Sequence, residues 1–186
     1  MADNIITDII DTYLQKLVDS DINSLPGKIE PEMRPSGHDD QKEWQKWIPI
    51  PSRVIDEEIT EFEGRIGHKL PSDYIRFLKH KHFYELAIAE ATFCSHPVNT
   101  WRASLTEMVY NGYPREFLID KGYIPFANWS DWGYLCFDTN RNFLSADYPI
   151  VLWDHETADQ VDDFSSDFKT LLKKLDKADK ESWEES

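Results

Sequence analysis

The stretch Ile59–Leu78, ITEFEGRIGHKLPSDYIRFL, constrains this chain more than any other. Ile59, Phe62 and Ile66 recur at helical spacing and form one apolar stripe. Asp56 stands where an N-cap belongs, and Glu57 and Glu58 put negative charge in the first turn, where the helix dipole favours it. Gly67 follows the stripe and can take the left-handed conformation that stops a helix. Pro71 lacks an N–H, which costs nothing in the first turn of a new helix. Tyr74, Phe77 and Leu78 then form a second stripe. The physics predicts a helical hairpin that buries both stripes in one core.

Before it, Ile6, Ile9, Ile10, Tyr13, Leu14 and Leu17 predict an amphipathic helix capped by Asp3 or Asn4. The segment from Ser24 to Lys46 is rich in proline, glycine and charge and has no period, so it reads as a connection, with Trp44 and Trp47 anchoring it to the body. After the hairpin, Glu85–Phe93 alternates and reads as one strand, and Ser104–Glu107 reads as a capping box that opens a short helix. Tyr123–Phe126, Gly133–Phe137 and Ile150–Trp153 are strand candidates. Phe164, Phe168, Leu171, Leu172 and Leu175 form the stripe of a closing helix. Helices, then strands with short connections, then a helix predict an α+β fold: an antiparallel meander with helices packed on one side. Residues 1–50 form an N-terminal helix and connector, 51–175 the α+β domain, and 176–186 a charged tail that frays, all within one globular unit.

The order of these pieces carries a resemblance. Ile59, Phe62-Glu63, Ile66-Gly67, Leu70-Pro71, Asp73-Tyr74 and Phe77-Leu78 resemble the opening signature of the SUKH superfamily, bacterial immunity proteins related to fungal cell-wall-assembly regulators. Gly122–Ala127, Asp131-Trp132-Gly133 with Leu135–Asp138, Tyr148–Val151 and Phe164–Leu175 resemble its later strands and closing helix. The resemblance spans roughly Pro51 to Leu175 and leaves out Met1–Ile50. It implies a protein that binds and neutralises a cognate toxin. The alternative it implies is a regulatory or scaffold module of the cell-wall-regulator type.

The chemistry of the chain bears on that choice. With 35 acidic and 20 basic residues, its formal charge is −15. Such a surface repels nucleic acid and anionic membranes and attracts a basic protein. A toxin nuclease, whose phosphate-binding cleft must be positive, is therefore the expected partner. Cys94 and Cys136 stand far apart among apolar residues and read as reduced, buried thiols of a cytoplasmic protein. The opening MADNIITDII has no basic region or cleavage site and is not expected to be a signal peptide. His80 and His82 are two apart and fit no metal motif, so no metal or cofactor is expected. Asp154-His155-Glu156 looks catalytic, but neighbours on an extended chain point to opposite faces and no strained nucleophile turn is present. The chain is therefore read as a binding protein and not an enzyme.

The candidate partner-binding residues are Asp154, Glu156, Asp159, Asp162 and Asp163, with Trp129, Asp131 and Trp132 at the preceding strand turn. No lysine or arginine interrupts the acidic run from Asp154 to Asp167. Two readings of it stand side by side. Asp162 and Asp163 lie before the Phe168 stripe, where anions favour a helix start; alternatively the run is a docking rim. The tryptophans serve either as core or as interface anchors.

Overall fold

A computed structural model describes residues 4–142, 147–157 and 160–184. The elements in chain order are α1 (Ile5–Asp19), β1 (Ser24–Pro26), β2 (Trp44–Lys46), β3 (Ile50–Pro51), α2 (Asp56–Ile66), α3 (Ser72–Leu78), β4 (Lys81–His82), β5 (Ala87–Ile88), β6 (Ala91–Phe93), α4 (Trp101–Tyr110), β7 (Tyr123–Trp129), β8 (Gly133–Asp138), β9 (Ile150–Asp154), β10 (Val161–Ser165) and α5 (Phe168–Glu184). The central sheet is antiparallel throughout, in the order β10-β9-β8-β7-β6-β5, so it is the expected α+β meander.

The helical hairpin forms as its stripes require. Ile59, Phe62 and Ile66 are buried on α2, and Gly67 ends it with φ at 75°. The corner is then tied by a carboxylate. Glu63 is buried, and its Oε1 accepts the Leu70 N–H at 2.9 Å while Oε2 pairs with Lys69 at 2.6 Å. The cap differs from expectation. Asp56 is already inside α2 and pairs with Lys79; Ile55 holds the N-cap position, where its N–H donates to Glu58 at 3.2 Å.

Alternation sorts the strand residues to two faces. Leu135, Phe137, Ile150 and Leu152 point inward to α1, α3 and α5. There Tyr74, Phe77, Phe126, Phe137 and Phe168 form one aromatic block, with Phe126 and Phe137 stacked at 4.3 Å and Tyr74 edge-on to Phe168 at 5.2 Å. Cys136, Val151 and Trp153 point to the opposite face, where Leu118 joins them and Tyr113, Phe117 and Tyr134 cover them in part.

Several local readings are corrected. Glu85–Phe93 is not one strand: Ala89 adopts φ of 50°, and the chain folds into the β5–β6 hairpin. Ser104–Glu107 opens nothing, because α4 has begun at Trp101; the Ser104 hydroxyl bonds back to the Thr100 carbonyl, and Glu107 accepts from Asn111. Phe164 belongs to β10 and not to the closing helix. The segment 24–46 is more than a connector. Its ends pair as β1 and β2, and Ile29, Met33 and Trp47 are fully buried. Trp44, by contrast, is 57% exposed and anchors nothing. Asn4 stands at the cap position of α1, but its side chain makes no cap and instead accepts from Arg76; Asp3 lies outside the described residues. Nor does the last helix end near Leu175. It runs to Glu184, and its added turns meet α1, where Asp179 accepts from Tyr13 at 2.9 Å and Lys16 at 3.0 Å.

Candidate partner-binding face

The register of the meander decides which acidic residues meet. Trp129 lies opposite Gly133, and Gly133 opposite Asp154, so the β7–β8 turn and the end of β9 share one end of the sheet. Gly133 is required there: a Cβ would sit 2.5 Å from the Trp153 carbonyl oxygen. The His155 N–H donates to the Trp132 carbonyl at 3.1 Å, and its ring Nδ1 lies 2.7 Å from the same oxygen. The Ser130 N–H donates to the Glu90 carbonyl at 2.8 Å, which brings the β5–β6 turn to the same end.

Asp131, Trp132, Asp154 and Glu156 are thereby gathered, with Glu90 as a member that the sequence did not single out. Asp131, Glu156 and Glu90 are exposed, and Trp132 is 38% exposed, one of the few large apolar side chains open to solvent. The turn holds itself together through its own groups. Asp154 Oδ1 accepts the Glu156 N–H at 2.7 Å.

The remaining candidates do not join this exposed cluster. Asp162 is exposed on the edge strand β10, opposite Leu152. Asp163 belongs to the far end of the sheet. Arg141 bridges it to Asp138, at 2.7 and 2.6 Å, and holds its carboxyl below the usual range. Trp129 is half-buried, edge-on to Phe164 at 4.7 Å. Asp159 lies outside the described residues. Neither Asp162 nor Asp163 caps the closing helix, because both are in a strand. The cap is Asp167, whose Oδ1 accepts the Thr170 N–H at 2.7 Å.

Asp154 and His155 do not act on each other. Each is bonded to the turn backbone, and no hydrogen bond joins them among the described residues. His80 pairs with Asp11 at 2.8 Å, while His82 is buried and stacked on His96 at 4.9 Å. Among the described residues no group of three His, Cys, Asp or Glu side chains lies placed to hold a metal ion. Cys94 and Cys136 are free thiols, and burial pushes Cys94 up to about 12. No helix among the described residues is long and apolar enough to cross a membrane.

A helical hairpin feeding an antiparallel meander, closed by a helix over one face, is the arrangement on which comparison with known families turns. The profile of the SMI1 / KNR4 family (SUKH-1) matches residues 54–174. The chain belongs to that family. The SUKH-1 family includes immunity proteins. No curated protein matches the chain closely enough to add a relative. The SUKH-1 match starts just before α2 and ends inside α5, so α1, the β1–β2 pair, β3 and the last turns of α5 lie outside the matched span. Of these, α1 joins the same core through buried Ile6, Ile9, Ile10 and Leu14.

Proposed function

We propose that this SUKH-1 chain is an immunity protein that binds a cognate toxin domain and neutralises it by covering its active surface. The toxin is a basic nuclease. The observation that carries the reading is the end of the sheet that gathers Asp131, Asp154, Glu156 and Glu90 with exposed Trp132. A tryptophan that a partner would desolvate, within a charged rim, is the composition of an interface hot spot. The rim suits a cleft built to hold phosphates, because that cleft must carry positive charge. Complementary charge raises the encounter rate to ~10⁸ M⁻¹s⁻¹ or more at low salt, which an antidote acting inside the producing cell requires.

Neutralisation on this reading is steric and electrostatic. The acidic surface competes with the nucleic-acid backbone for the same cationic side chains and needs no bond-breaking step of its own. The test is to screen the purified chain against basic toxin nuclease domains and to titrate it into the one that it binds. Cleavage of nucleic acid is expected to stop at one-to-one stoichiometry. Cleavage that persists at saturating chain would overturn the reading.

A further inference from the structure

The face of the sheet away from α1, α3 and α5 is not fully covered. A cavity of about 390 Å³ opens between the end of α4 and strands β6, β7 and β8, and Thr92, Asn128 and Tyr134 are among its walls. A smaller one of about 100 Å³ continues it towards Asp131 and His155. Asn128 and Tyr134 are walls of both, so the two lie side by side across the strands as the wider and narrower parts of one grooved surface. The narrower part adjoins the acidic turn described above.

Its lining is aromatic and anionic. Tyr134 is held across the groove, its hydroxyl donating to the Gly112 carbonyl at 3.3 Å. Tyr113 stands edge-on to Trp153 at 4.6 Å and 6.0 Å from the Tyr134 ring. Glu85 and Glu107 flank the wider part, and Asp131 the narrower. Among the described residues no lysine or arginine lines either part. Among the described residues the Glu107 carboxylate has only the Asn111 amide, at 2.8 Å, and no ion pair or side-chain hydrogen bond reaches the Glu85 carboxylate. The surrounding protein also raises the Glu85 carboxyl above its usual range by withdrawing water.

We infer that this groove receives an arginine side chain presented by the partner protein. The flat guanidinium lies over the tyrosine ring and is neutralised by Glu85 and Glu107. Arginine suits the site better than lysine, because its planar cation stacks on aromatic faces and sheds water at lower cost. Open ends suit a side chain carried on a polypeptide, whose backbone must leave the groove. The inference rests on the reading of the chain as a protein-binding immunity protein and specifies where that partner is gripped.

The chemistry can be tested without the toxin. Ethylguanidinium is titrated into the ¹⁵N-labelled full chain, with N-ethylurea as the neutral isostere and sodium chloride at matched ionic strength. Amide shifts are expected to concentrate at Thr92, Asn128 and Tyr134 and to vanish in the double variant Glu85→Gln, Glu107→Gln. Equal shifts with the urea, or guanidinium shifts spread evenly over the acidic surface, would overturn the groove. A second arm uses the toxin. Thr92 is exposed, so Thr92→Arg fills the groove with an internal cation and leaves the core alone. Its affinity for the toxin is expected to fall ~30-fold or more, chiefly through faster dissociation. If the wild type neutralises the toxin and Thr92→Arg does so equally well, the groove inference fails and the immunity reading stands. If the wild type does not bind, the immunity reading fails, and the guanidinium titration judges the groove by itself.

Discussion

The two faces of the central sheet use the same strands for opposite ends. On the inner face, Phe126, Phe137 and Phe168 are shielded by three helices and make ring contacts on several sides. On the outer face, Trp153 is equally buried, but its neighbours Tyr113 and Tyr134 are half-buried and border a groove. Alternating residues of β8 and β9 supply both. A meander with helices on one side stabilises itself with one face and leaves the other partly uncovered. In this chain carboxylates rim the free face, and the packed face has none at its aromatic centre.

If the inner face carries stability, Phe168→Ala leaves a cavity amid five aromatic neighbours and costs ~3–5 kcal/mol in urea unfolding. Thr92→Arg on the outer face stays within ~0.5 kcal/mol in the same assay. Similar losses in the two variants would erase the distinction between the faces.

Acid sharpens the comparison from the inner side. His96 is buried beside His82, its Nε2 2.8 Å from the Leu78 carbonyl, and burial lowers its pKa to about 3. The unfolded chain takes up that proton near ~6.5, so the stabilisation is whole above that pH and is lost as pH falls towards about 3. The loss for this group is ~2 kcal/mol by pH 5. In an NMR titration of the folded chain the His96 ring resonances should stay unmoved down to pH 4. A midpoint near 6 would show that the ring reaches solvent.

The smallest effect separates cap from rim. Asp167→Ala removes the true cap of α5 and costs ~0.5–2 kcal/mol at any salt. Asp162→Lys, in the exposed edge strand, leaves the melting temperature nearly unchanged and slows encounter with a basic toxin at low salt. A lowered melting point for Asp162→Lys with an unchanged on-rate would return Asp162 to a structural role.

These residues also mark what the chain made legible. The α2–α3 hairpin could be read because its signals are local: two stripes, Gly67 and Pro71 between them. Strands β7, β8 and β9 were legible from alternation and from bracketing turns. The β10 strand was not, because Val161-Asp162-Asp163-Phe164 is short, and its carboxylates before an apolar stripe imitate a helix start. Ala89 hid the β5–β6 turn, since no glycine or asparagine advertises its positive φ. The order in 24–46 comes from pairing Ser24 with Lys46 and from burying Trp47, contacts that no window of a few residues contains.

The site divides the same way. The acidic residue types near the strand ends were evident, but their distribution was not. Arg141 takes Asp163 to the far end, and the Gly133–Asp154 register brings Asp131 to Glu156. The groove stayed hidden because Thr92, Asn128 and Tyr134 come from three strands whose neighbour relations exist only in the folded sheet.

Hydrogen–deuterium exchange of the chain alone and with its toxin domain tests the division of faces most directly. Slowed exchange is expected in the turns 89–91 and 130–133, in 154–157 and at the end of α4, with α1 and α5 unchanged. Protection confined to α1 and α5, with the outer face exchanging as before, would contradict the account.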